Sequence, residues 1–145
     1  MTRTLFIALF VFVVTSCSRA PHDHPHSHDG GDSTNEALNE KVLSIHDEVM
    51  AKGDDLYRLK KKYQDSLANA KDLPAEKKAH LESVVLELDS AQKAMNKWMH
   101  EFDPNKDSAD TEKTREYFET EIEKITKIKV LTEEVIVRAK KGSEK

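Results

Sequence analysis

Residues 81–102 read LESVVLELDSAQKAMNKWMHEF, and the spacing of their apolar side chains decides the fold class. Leu81, Val84, Val85, Leu88, Ala91, Met95, Trp98, Met99 and Phe102 recur at i, i+3, i+4 and i+7, which places them on one broad face of an α-helix. Pro74 lies where a helix can start and Pro104 where it must stop, so the expected helix covers about 74–102. On the N-terminal side, Leu38, Val42, Ile45, Val49, Leu56, Leu59, Tyr63 and Ala70 step by four and three, with Lys52 and Ser66 filling the gaps. That is a heptad seam, and it predicts one helix over about 34–71 with Gly53 in its middle. Ser33-Thr34-Asn35-Glu36 offers a capping box at its start. On the C-terminal side, Phe118, Ile122, Ile125, Ile128, Leu131, Val135, Ile136 and Ala139 predict a third helix over about 108–141. Asp107-Ser108 opens it, and Arg138, Lys140, Lys141 and Gly142 close it as helix C-termini favour.

Three long helices joined by turns of a few residues must run antiparallel to their sequence neighbours. The expected fold is all-α: an antiparallel three-helix bundle with coiled-coil-like helices over 34–141, more than four-fifths helical. Leu56, Leu88, Trp98, Ile125 and Leu131 are expected in its core. An oligomeric coiled coil could use similar heptads, but the short turns favour packing within one chain. Around Trp98-Met99-His100-Glu101-Phe102 the domain resembles small coiled-coil-like lipoproteins of the inclusion-protein-like kind, a resemblance that implies no chemistry.

The N-terminus carries a signal of a different kind. Arg3 precedes ten apolar residues, Leu5 to Val14, followed by Val14-Thr15-Ser16-Cys17. Ten residues at about 1.5 Å each reach roughly half of a ~30 Å hydrocarbon core, so the run suits a cleaved secretory signal and not a membrane span. Small residues before a cysteine make this segment similar to the signals of bacterial lipoproteins. The resemblance implies lipidation of Cys17, a mature chain beginning there, and localisation in the bacterial cell envelope, on the periplasmic face of the outer membrane. Cys17 is the chain's one cysteine. It cannot form an internal disulfide, and acylation would remove an exposed thiol from an oxidising compartment. The expected division is therefore 1–16 signal peptide, 17–33 lipidated flexible linker and 34–141 helical bundle.

Removing residues 1–16 takes Arg3 from the 23 basic side chains and leaves 22 against 27 acidic ones, a net charge of −5. Nucleic acid is not an expected partner, because Lys60-Lys61-Lys62 is interleaved with Asp54, Asp55 and Asp65 and forms no basic face. No nucleophile and base pattern, Gly-rich phosphate loop or Cys-x-x-Cys-His haem motif occurs, and the expectation is a non-enzymatic protein that requires no cofactor. Its expected partners are the membrane, through the lipid, and a protein of the envelope.

The linker holds the most chemical segment: His22, His24, His26 and His28 alternate with Asp23, Pro25 and Ser27. Imidazoles on a flexible strand can wrap Zn²⁺, Cu²⁺ or Ni²⁺, so this tract is the candidate metal site, and a metal buffer or delivery role is the alternative function. His46 and His100 should lie at one height in the bundle near Met50, Met95 and Met99. At about 100° per residue their side chains diverge, and they are not expected to share an ion.

Overall fold

The computed structural model describes residues 30–69, 72–106 and 111–142. They are 90% helical and contain no strand, so the all-α bundle expected from the apolar periodicity is the fold. The helices are α1 (Gly30–Met50), α2 (Gly53–Asn69), α3 (Ala75–Glu101) and α4 (Thr111–Gly142). α1 and α2 together make the first of three rods. The second is α3 and the third α4.

The first rod is not the single helix that its heptads predict. At Ala51 and Lys52 the ladder tightens: the Lys52 amide donates to the Val49 carbonyl at 3.0 Å, an i→i−3 bond, while Ala51 to Asp47 and Leu56 to Lys52 keep the wider spacing. A 3₁₀-like turn of this kind redirects a helix without unravelling it. Its position has a physical cause. After Gly30 and Gly31 at the very start of α1, Gly53 is the weakest helix former in the rod, and Asp54 and Asp55 in the next turn suit a new helix N-terminus. The other boundaries differ modestly from expectation. α1 already begins at Gly30, so the helix runs through the supposed capping box and takes in the last residues of the predicted linker. Pro74 precedes α3 and its carbonyl accepts from Lys78 at 3.0 Å, and Phe102 caps the far end through its amide to Trp98.

Cross-links fix the topology as up, down, up. Glu48 meets Lys129, Lys52 meets Glu133 at 3.6 Å, and Asp55 meets Lys140 at 2.7 Å, so the first and third rods are parallel. Lys60 meets Asp89 at 3.2 Å and Arg138 meets Glu87 at 3.0 Å, with α3 antiparallel to both. These surface pairs add little stability individually. Lys140, then Arg58, holds the Asp55 carboxyl below the usual carboxylate range, as Lys93 and then Lys60 do for Asp89.

The core has two parts. Leu56, Leu59, Tyr63, Leu81, Val84, Leu88, Ala91, Val135, Ile136 and Ala139 fill one end, and Val42, Val49, Met95, Trp98, Phe118 and Ile125 the other. Leu131, expected inside, is exposed at 36%, and Thr132 beside it is fully buried. Apart from Ile136, the buried positions of α4 step by four and three through Thr114, Phe118, Glu121, Ile125, Thr132, Val135 and Ala139, with half-buried Ile128 completing the series. Three of these are polar, so a list of apolar residues alone misplaces the face by one residue, about 100°.

Candidate interaction groove at the aromatic end

α1 packs closely on α4 and so does α3, whereas the backbones of α1 and α3 barely approach each other. The space between them is bridged by side chains from the last turn of α3. The Trp98 ring lies 5.8 Å from the His46 ring of α1 and stacks on Phe102 at 4.7 Å. Phe102 lies parallel to Tyr117 at 6.4 Å, and Tyr117 meets Phe118 edge-on at 5.3 Å. A continuous aromatic row thus runs from α1 across α3 to α4. Such pairs add about 0.5–1.5 kcal/mol each beyond their buried area.

Polar groups anchor the row. The Trp98 indole donates to Glu121 Oε2 at 2.8 Å, and Lys124 donates to Oε1 at 2.8 Å. Glu121 is 4% exposed, and a carboxylate in that position needs both partners, because an unpaired buried charge is severely destabilising. Its hydrogen bond in turn raises the Lys124 ammonium above the ordinary lysine value. The Asp103 amide donates to the Tyr117 hydroxyl at 2.8 Å. Asn35 donates to the Thr111 carbonyl at 3.0 Å and Asn39 to that of Pro104 at 2.8 Å, tying α1 to both sides of the α3–α4 connection.

What remains open is an apolar groove of about 200 Å³ lined by Leu43, His46, Trp98, Met99, Phe102 and Pro104. Trp98 forms its floor; Leu43 and Met99, 40% and 37% exposed, form its lips. Two other shallow hollows follow the outer face of a single helix, Tyr57 to Asn69 on α2 and Glu40 to Glu48 on α1.

The residues expected to carry chemistry are distributed as follows. Cys17, His22, His24, His26 and His28 lie outside the described residues. His46 has its Nδ1 2.9 Å from Asp47 Oδ1 and its ring against Trp98, while His100 is exposed. His80 belongs to the opposite end, where its Nε2 lies 3.6 Å from the position a Cβ on Gly142 would take. Among the described residues no three His, Cys, Asp or Glu side chains cluster as a metal site, and no helix is long and apolar enough to cross a membrane. Met99, expected on the core face, stands at the groove lip. Sequence reasoning missed Glu121 because it reads as ordinary helix surface; the available signal was its place three residues after Phe118 and four before Ile125. Leu43 was missed because it falls outside the α1 seam, and its exposure becomes meaningful only once Met99 faces it. Comparison with protein families, curated proteins and solved structures gives no match.

Proposed function

We propose that this protein is a non-enzymatic, membrane-anchored lipoprotein of the bacterial cell envelope, acylated at Cys17 on the periplasmic face of the outer membrane, whose helical bundle serves as a protein-interaction module. The observation that carries the anchor is the N-terminal sequence: Arg3, the ten-residue apolar run, and Val14-Thr15-Ser16 immediately before the lone cysteine. Two or more acyl chains on one residue hold a protein far more durably than one, because each buried CH₂ contributes about 0.8 kcal/mol. The interaction role is supported by the groove, an apolar hollow between two helices with exposed Leu43 and Met99 on its two sides. Metabolic labelling with a fatty acid tests the anchor: wild-type protein should take label, and Cys17→Ser should block both labelling and processing at this site. Label retained by the serine variant would overturn it.

The alternating His22, His24, His26 and His28 favour a second reading, a metal buffer or delivery arm for Zn²⁺, Cu²⁺ or Ni²⁺. Imidazoles bind only when neutral, so uptake by the tract should strengthen above pH ~6.5 and be released on acidification. Equal Zn²⁺ uptake by complete and tract-deleted chains would eliminate it.

A further inference from the structure

We propose that the α1–α3 groove docks a basic amphipathic helix of a partner protein, whose apolar face covers Leu43, Trp98, Met99 and Phe102 and whose lysines or arginines meet Glu40 and Asp47. The inference rests on the reading of the bundle as an interaction module and assigns its partner a chemistry. Single exposed leucines or methionines are ordinary on any surface. Leu43 and Met99 differ because they flank one hollow, with stacked Trp98 and Phe102 between them. The hollow exists because α1 and α3 both lean on α4, which leaves room for a further rod in the manner of helix-in-groove recognition.

Charge selects the occupant. Leu43 also borders a depression lined by Glu40, Ser44, Asp47 and Glu48, so the α1 lip is acidic. Glu48 is engaged by Lys129, whereas among the described residues the Glu40 side chain makes no ion pair and that of Asp47, 80% exposed, pairs with His46 of its own helix. Lys41 is the one lysine or arginine in α1. Cations on the flanks of an incoming helix would therefore find the Glu40 carboxylate and the largely exposed Asp47 carboxylate beside the apolar floor. An anionic lipid surface is repelled by the same lip, and a second copy of the chain brings an identical acidic lip.

Trp98 is the only tryptophan, so its fluorescence reports the groove directly. The test uses the mature chain carrying Cys17→Ser, which is free of lipid and needs no detergent. It is titrated with a synthetic leucine–lysine amphipathic helix of about 18 residues. A saturable change in Trp98 emission is expected. Leu43→Asp with Met99→Asp should weaken binding by at least about tenfold, and the surface pair Glu40→Lys with Asp47→Lys should weaken it about threefold and flatten its salt dependence. Circular dichroism should show all variants equally helical; should the aspartate pair unfold, the lysine pair decides. The proposal is overturned by no response, by an equal response to a leucine–glutamate helix, or by the same change with phosphatidylglycerol vesicles alone. It is also overturned if Leu43→Asp alters the sedimentation of the protein by itself. Fatty-acid labelling of the same groove variants, with Cys17 intact, separates the two ideas: peptide binding lost with label retained removes the docking proposal alone.

Discussion

The two ends of the bundle are packed in different ways. Around Leu88, the end built from α2, the first half of α3 and the last turns of α4 is aliphatic, and its one polar handle is the Tyr63 hydroxyl, which donates to the Ala139 carbonyl at 2.7 Å. There α4 comes close enough that a Cβ on Gly142 would lie 2.7 Å from Tyr63 Oη. Around Trp98, the other end combines aromatic rings with the buried Glu121 carboxylate and leaves the groove open. Aliphatic packing depends on volume and is indifferent to direction, so it closes without directional partners. A core held by hydrogen bonds and ring geometry is directional, and it can stand beside an opening without collapsing into it.

The sharpest test of this contrast compares Trp98 with Leu88. Trp98→Ala should destabilise by about 3–5 kcal/mol and Leu88→Ala by about 2–5 kcal/mol, both read from denaturant unfolding. The near-isosteric changes should separate the ends. Leu88→Met should cost less than about 1.5 kcal/mol, whereas Trp98→Phe removes the indole donor from Glu121 and should cost about 1–3 kcal/mol beyond its lost volume. Equal costs for those two would erase the distinction.

Where the ends meet, Thr132 is fully buried and its hydroxyl has no hydrogen-bond partner among the described residues. Thr132→Val keeps the β-branched shape and removes the orphan oxygen, and should stabilise by about 1–2 kcal/mol. Unchanged stability would show that the hydroxyl is satisfied by water.

At the aliphatic end, Tyr63→Phe should cost about 1 kcal/mol. Burial raises the Tyr63 phenol above its ordinary value. A group whose folded pKa is raised contributes stability that is complete below its unfolded value, near pH 10, and is lost as pH climbs through the folded value. The wild type should therefore lose stability above pH ~10, and Tyr63→Phe should lose less over the same range.

The smallest effect is expected at the joint. A Cβ on Gly53 meets nothing within 4 Å, so Gly53→Ala should stabilise by up to about 1 kcal/mol. Thermal melting measures it. A loss of stability would mean that the joint needs glycine's freedom.

The helical rods and most of the core were legible because burial imposes a period on the chain. Val42, Val49, Leu56, Leu59 and Tyr63 lie on the expected seam of the first rod, and Leu81, Val84, Leu88, Ala91, Met95 and Trp98 on that of α3. The third rod was legible only in part. Leu131 and Thr132 sit one step apart, and which of them faces inward depends on where Ile125, Val135 and Ala139 meet the other two rods. The groove was not legible at all. Leu43 and Met99 are 56 positions apart in sequence; Leu43 falls outside its seam, Met99 reads as core, and neither suggests the lip of a groove.

The sequence by itself determined the all-α class, the number of rods and their antiparallel order, because apolar period, proline placement and turn length are local properties. It also holds whatever the N-terminus says of secretion and acylation, since such signals are read from an extended chain. Only the tertiary structure decided that the first rod is interrupted at Ala51-Lys52, that Glu121 is a core residue held by Trp98 and Lys124, and that α1 and α3 stand apart. Those features depend on how three surfaces meet, and no single helix carries that information.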